Sequence, residues 1–376
     1  MGIYEELGVR KVINASGSMT NLGGSIMDSE VIEAMNEAAR SFVYMEELIE
    51  KAGEVIAEVT GAEMGLVTSG AAAALALAAA ACMTGKDLSK ISRLPDTTGM
   101  KNKIIIQRLH RNPFDSCIRA SGAKLVEVGN NFGTEAWEME NAIDDDTAAI
   151  AHFVFDPQPG VLPLERVIEI GKKHDVPVIV DAAAELPPVE NLRKFISMGA
   201  DLVLFSGGKE IRGPNDSGIL CGRRDLVEAA YMNSFTHHFG WFGIGRPMKI
   251  SKEQIVGLIV ALRKYVSKDH NAEMERWRAM AEYMATELSK LQNIEVKVII
   301  PRMGPRPLCI PRTEVKLNEE ALGLSTAELI KKLREGDPAI EVWRVPGEPV
   351  IHLNPQCLQD GQERIVVEKI KKVLSR

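Results

Sequence analysis

PVIVDAAAELPPVENLRKFISMGADLVLFSGGK, residues 177–209, decides the architecture. The first five residues read as a strand: Val178, Ile179 and Val180 are β-branched, and the run ends on the carboxylate of Asp181. Residues 190–198 read as a helix, and 201–205 (DLVLF) as a second strand. Two apolar strands joined through a helix form a parallel pair, because the chain must cross back over the sheet. The second strand runs into Ser206-Gly207-Gly208 and delivers one lysine, Lys209.

The alternation extends outward in both directions. Upstream, helices are expected at 70–83 and 113–121, with strands at 103–107, 124–128 and 149–155, and a further helix at 163–174. Downstream, strand 217–221 precedes helices 224–232, 251–267 and 270–290. Near the N-terminus Asp28 is placed to cap a helix carrying Val31, Ile32 and Met35, and a second helix over 41–59 ends at Gly61. The tail predicts short strands near 294–300, 313–317, 341–345 and 350–353, with helices at 325–335 and 361–374. The expectation is an α/β fold: a mainly parallel sheet covered on both faces, followed by a smaller α+β domain. Its divisions are an N-terminal arm and helices (1–60), a large domain (61–265), and a linking helix with the small domain (266–376).

Composition bounds the function. The chain has 376 residues, 45 % hydrophobic and 26 % charged, and can bury a core without metals or disulfides. A net charge of −7 tilts away from nucleic-acid binding. The five cysteines, Cys82, Cys117, Cys221, Cys309 and Cys357, show neither a framework nor metal spacing. No metal site is expected, and a reducing cytoplasm fits. The first seventeen residues lack a signal pattern, and the alanine-rich run Gly70–Met83 is too short and too weakly apolar to span a bilayer.

Three segments carry chemistry. Val67-Thr68-Ser69-Gly70-Ala71-Ala72 opens a helix whose free N–H groups can hold a phosphate, with Ser69 adding a hydroxyl; plain helix capping is the other reading. Asp181 stands at the C-terminal end of a strand, where open α/β sheets bind ligands. There it can pair with a protonated pyridine nitrogen, or it can cap the next helix. Lys209 can join an aldehyde as an imine, or it can be an ordinary solvated lysine. Taken together, phosphate cradle, ring-nitrogen acid and imine lysine follow the chain order of fold-type-I pyridoxal-phosphate (PLP) enzymes. They point to pyridoxal 5'-phosphate as cofactor, held as a Schiff base on Lys209.

The chain also resembles the selenocysteine-synthase-related (SelA-like) family, and within it the proteins grouped with D-glucosaminate-6-phosphate ammonia-lyase. The matching stretches are INASGSMTNLGGSIM (13–27), GAEMGLVTSGAAAAL (61–75), HRNPFD (110–115), VIVDAAAELPP (178–188), FSGGKEIRGPNDSGIL (205–220) and GRPMKISKEQIVGL (245–258). The resemblance implies a fold-type-I sheet of the seven-stranded type. It makes Lys209 the Schiff-base lysine and Asp181 the partner of the ring nitrogen, with Ser69, Gly70, Ala71 and Ser206 on the phosphate. It sets His110 against the cofactor ring, alternatively a loop histidine contacting backbone. Arg246 and Lys249 become candidates for phosphate or substrate contact. Thr20 and Asn21, with Asn14, Ser16 and Gly17, form a polar lead-in that lines a pocket or caps a turn. Arg312, preferred over Arg302, is a candidate for a substrate carboxylate.

The expected reaction is that of a lyase, a dehydratase or ammonia-lyase. It acts at Cα and Cβ of a small hydroxy-amino acid, with a phosphorylated amino-sugar acid as one case. Arg111, Arg212, Arg246 and Lys249 are candidates for a second phosphate. Racemase, aldolase and transaminase outcomes share the same cofactor chemistry. A tRNA-dependent selenium transferase is the alternative, disfavoured by the acidic chain; a non-catalytic binding protein comes last. The partners expected are a small amino acid and further copies of the chain, with neither nucleic acid nor membrane.

Overall fold

A computed structural model describes residues 2–155, 158–236 and 243–375. The chain divides into two compact units, one of residues 27–267 and one that joins 1–26 to 268–376. The boundaries therefore fall at 26/27 and 267/268, not at 60/61 and 265/266. The N-terminal arm is not a segment of its own, because its strand β1 (Val12–Ala15) pairs in parallel with a strand near the C-terminus.

Among the described residues the larger unit holds seven strands: β2 (Met64–Thr68), β3 (Lys103–Gln107), β4 (Lys124–Val128), β5 (Thr147–Phe153), β6 (Val178–Asp181), β7 (Leu202–Ser206) and β8 (Gly218–Gly222). Their order is β2-β8-β7-β6-β5-β3-β4. Pairing is parallel from β7 through β4, and β8 runs antiparallel to both β2 and β7. Ile104, Ile105, Ile106, Ile150, Ile179, Val180, Val203 and Leu204 are all fully buried, which is why these strands read as continuous apolar runs and not as alternating ones. The helix Gly70–Thr84 is buried almost all round, and its alanines leave room for neighbours on every side.

Several elements depart from the expectation. Strand β2 is not among the expected strands; its Gly65, needed for close packing, hides the strand signal. A Cβ on Gly53, in the helix Met45–Thr60, would lie 2.4 Å from the Gly65 carbonyl oxygen, so that helix rests directly on β2. The helix begins at Met45 and not at 41, since Phe42, Val43 and Tyr44 stay extended and exposed. Residues 113–120 form a 3-10 turn, Pro113–Asp115, followed by the short helix Ser116–Ala120.

The smaller unit has a five-stranded sheet. To β1 it adds β9 (Ile294–Ile299), β10 (Arg312–Leu317), β11 (Ala339–Arg344) and β12 (Val350–Leu353), in the order β1-β11-β12-β10-β9. Val315, Leu317, Ile351 and Leu353 face a core shared with the helices His270–Leu288, Thr326–Glu335 and Gln362–Leu374. By alternation, Arg312 and Glu314 of β10 and His352 of β12 project from the other face.

Candidate active site

The strand register assembles the site. Thr68 and Ser206 are both register partners of Gly218, one on each side of β8. Because β8 is antiparallel to both neighbours, β2 and β7 run the same way, and their C-terminal ends share one edge of the sheet. Thr68 and Ser206 thus lie two strand spacings apart, about 10 Å. On the next strand, Asp181 is the partner of Leu204. Ser69, Gly70, Ser206, Lys209 and Asp181 all follow from strand ends along this edge, where ligands bind in open α/β sheets.

The phosphate cradle is the start of helix Gly70–Thr84. Gly70 has φ +85°, a left-handed conformation natural to glycine, and no atom lies within 4 Å of where its Cβ would be. The first N–H groups of the helix have no intrahelical partner and favour an anion. Ser69 occupies the capping position, but its hydroxyl donates to the Met248 carbonyl at 2.9 Å instead of capping the helix. This bond docks the 245–249 segment beside the cradle. Arg246 and Lys249 are exposed on that segment.

Gly218 backs the cradle. Its Cβ would lie 2.4 Å from the Gly70 carbonyl carbon and 2.7 Å from the Ala71 nitrogen. Gly218→Ala should therefore push the helix start outward and weaken cofactor affinity about tenfold or more, read by titrating the cofactor against its absorbance. An unchanged dissociation constant would remove the cradle from this position.

Lys209 is half-buried and is placed by two glycines. A Cβ on Gly207 would meet Ser217 Oγ at 2.2 Å, and one on Gly208 would meet Asn215 Cα at 2.4 Å. The turn thus lies flat on the 214–217 segment, fixed by Gly207 N–H to the Ser217 carbonyl at 2.8 Å and Gly213 N–H to the Gly207 carbonyl at 2.9 Å. Arg212, at φ +59°, donates its N–H to the Lys209 carbonyl at 3.0 Å.

Asp181 is half-buried by accessible area, yet desolvation of its carboxyl raises it to about 6. An N–H bond from Ala183 at 3.0 Å and the charge of Lys209 oppose that rise, while the Glu185 carboxylate adds to it. Acid and amine therefore feel each other's charge. These residues suit PLP: an amine for its aldehyde, an acid kept from water for its ring nitrogen, and an open N–H cradle for its phosphate.

His110 is different. It is 1 % exposed, with its ring edge-on to His152 at 4.5 Å, and its Nδ1 accepts the Phe153 N–H at 3.3 Å. Burial lowers it to about 4, so it stays neutral. It presents almost no face to a ligand, and its visible part is to fix the end of β5 from the loop after β3. Arg111 is also committed elsewhere. It pairs with Asp115 at 2.6 Å and with Glu127, so it is not a spare phosphate ligand. Asn14 accepts the N–H groups of Ser16 at 2.9 Å and Gly17 at 3.2 Å, the turn-capping alternative. Thr20 and Asn21, exposed in a 3-10 turn, and Arg312, fully buried, belong to the smaller unit. Among the described residues no cluster could hold a metal ion, and no helix is long and apolar enough to cross a membrane.

A parallel sheet with an antiparallel strand let in beside the lysine-bearing one, and an acid and an amine at its C-terminal edge, define a fold-type-I PLP-dependent enzyme. The chain belongs to the SelA family, described as L-seryl-tRNA selenium transferase, whose family model matches residues 12–298. It is 34 % identical to the D-glucosaminate-6-phosphate ammonia lyase of Salmonella typhimurium (strain 14028s / SGSC 2262), over 99 % of this chain and 97 % of the relative. It is also 34 % identical to a 5'-C-glycyluridine monooxygenase-decarboxylase of Streptomyces sp, over 99 % and 92 %. A solved structure of a D-glucosaminate-6-phosphate ammonia-lyase superimposes with a TM-score of 0.87 at 33 % identity, covering 100 % of this chain and 98 % of the other.

Proposed function

We propose that the chain is a PLP-dependent lyase converting a small hydroxy-amino acid, of the amino-sugar-acid type, into a 2-keto acid and ammonia. The observation that carries this reading is that Asp181 ends β6 and Lys209 follows the end of the adjacent, parallel β7, beside the glycine-opened helix start at Gly70. The near full-length likeness to an ammonia lyase supports the choice of reaction.

Bound here, PLP supplies an aldehyde that takes up an amine and a ring that withdraws electrons from the amine-bearing carbon. The residues do the rest. The helix start at Gly70 and Ala71, with Ser69 and Ser206, holds the phosphate group. Asp181, as a carboxylate, keeps the ring nitrogen protonated. Lys209 would hold the cofactor through its amine, and the same amine would move the proton at substrate Cα. The β-hydroxyl takes up a proton and leaves as water. The enamine released takes back one water and loses ammonia, so the net change is loss of ammonia from the substrate. Arg246 and Lys249, exposed beside the cradle, are placed to meet a second phosphate on the substrate.

The same proposal includes a homo-oligomer. Phe42, Val43 and Tyr44 form an exposed apolar run, 102 %, 51 % and 83 % exposed, suited to cover by a second copy. Light scattering on the purified protein checks it, and a monomer at micromolar concentration would count against it.

The functional test uses the PLP-loaded protein with a panel of hydroxy-amino acids and D-glucosaminate 6-phosphate. Keto acid and ammonia in equal amounts are expected. Release of carbon dioxide with uptake of oxygen, or keto acid without ammonia, would overturn the lyase reading.

A further inference from the structure

β9 (Ile294–Ile299) is an outer strand of the five-stranded sheet, with β10 on one side and, among the described residues, no strand on the other. One contact sets the phase of its hydrogen bonds. The Asn318 N–H donates to the Asn293 carbonyl at 2.9 Å, and the register that pairs Leu317 with Ile294 sets these two residues opposite each other. In an antiparallel pair the bonded positions alternate. Asn293, Glu295, Lys297 and Ile299 therefore direct their backbone groups at β10, while those of Ile294, Val296 and Val298 point outward. Among the described residues no other backbone group meets them. Such an edge is a template for another strand.

The side chains say which strand. Glu295 and Lys297 stand on the polar face, and their side chains are 80 % and 68 % exposed. A lysine in the middle of an edge ordinarily blunts it. Here it is half of a pattern. Lys297 faces Glu314 of β10 at 3.0 Å, and Glu295 faces Lys316 at 3.6 Å. A second copy of β9, laid antiparallel with the two-fold axis at Val296, sets Glu295 of each copy against Lys297 of the other. Charges then alternate along the row: Glu314, Lys297, the partner's Glu295, the partner's Lys316. On the opposite face Ile294 meets the partner's Val298, and Val296 meets its own image. Ile294 and Val296 already pack at the border of the unit's apolar core, so the pairing continues that core across the join. Moving the axis by one residue either way sets Glu295 against Glu295 or Lys297 against Lys297. A slip that offsets the faces would turn the apolar residues to the polar side.

We propose that β9 is a self-complementary docking edge whose occupant is β9 of a second copy of this chain, paired about Val296 so that two five-stranded sheets become one of ten. The contact uses the same residues on both copies and closes on itself. Pairing of β9 with the other outer strand, β1, would instead run head to tail. The edge belongs to the smaller unit and shares no residue with the Phe42–Tyr44 run of the larger one.

Hydrogen exchange on the unaltered full-length protein at micromolar concentration reads the edge directly. The outward amides of Ile294, Val296 and Val298 should be protected, and exchange there at the rate of a free edge overturns the proposal. Charge variants test the register. Glu295→Lys gives each edge two lysines, and Lys297→Glu gives each edge two glutamates. Each variant alone should associate at least about tenfold more weakly, seen as a fall in mass by light scattering and as lost protection. Mixed one to one, a lysine edge meets a glutamate edge, so mass and protection should return. β1 pairing has no such reciprocity. Unchanged mass in both single variants overturns the proposal, and so does failure to recover on mixing by variants whose circular dichroism matches the unaltered protein. Val296→Pro removes one outward N–H, leaves the bonds to β10 in place and changes no charge, so it should dissociate the pair by itself; association kept in this variant also overturns it.

Discussion

Lys209→Ala protein will purify with no visible absorption band from bound cofactor, and its turnover will fall by at least about a thousandfold. Both effects come from one side chain. The amine follows a strand end at the sheet edge, where it can join the cofactor aldehyde, and it is also the proposed base at substrate Cα; positioned proton transfer alone contributes roughly 10²–10⁴ in rate. The fold should survive, since Lys209 is half-buried in a turn held by backbone bonds of its neighbours. Spectra and near-ultraviolet circular dichroism of the two proteins check this together. A visible band that persists in the variant assigns the imine to another lysine and removes the basis of the mechanism.

Asp181→Asn is the second large effect. The amide is nearly isosteric but cannot hold a proton on the ring nitrogen by charge, so kcat should drop about a hundred- to thousandfold with the cofactor still joined to Lys209. The substitution also has a signature in stability. The folded carboxyl lies at about 6 against an ordinary value of 3.8, so between these values the folded protein binds the proton more tightly than the unfolded chain. The resulting stabilisation of cofactor-free protein is complete below pH 3.8 and is lost as pH rises through about 6. It amounts to up to about 3 kcal/mol. Denaturant melts of cofactor-free protein at pH 4.5 and 7 should show that loss, and the asparagine variant should not. Cofactor affinity carries the opposite sign, weakening below about pH 6 as Asp181 takes up the proton it must give up to hold a charged ring nitrogen. A flat stability profile in the unaltered protein would mean that Asp181 is better solvated than its surroundings imply.

Much of this site was legible because its residues stand at the ends of strongly patterned strands. The runs at 104–106, 178–180 and 202–205 are apolar throughout and stop at polar residues, so the strand ends, and with them the places of Asp181 and Lys209, follow from composition. Strand β2 was not legible: Met64-Gly65-Leu66 carries a glycine demanded by the helix above it, a tertiary requirement that local propensity does not record. His110 reads in sequence as a loop histidine against a cofactor ring or against backbone, and its bond to the Phe153 N–H of β5 depends on strand pairing that the sequence does not record. Arg111 is similar, since Glu127 reaches it from β4. Arg312 is picked out by its chemistry; its full burial at the start of β10 is a tertiary outcome that no spacing rule provides.

The reversed strand β8 has a consequence for how the molecule comes into being. It joins the cradle-bearing strand to the lysine-bearing one, two segments far apart in the chain, and nothing else in the sheet links them. Such distant closures are slow steps in folding. A growing chain that stops short of Gly222 lacks the strand that pairs with both, although the helix Gly70–Thr84 already packs on β7. The register that fixes Thr68 and Ser206 against a common partner is therefore completed only once Gly218–Gly222 has been made.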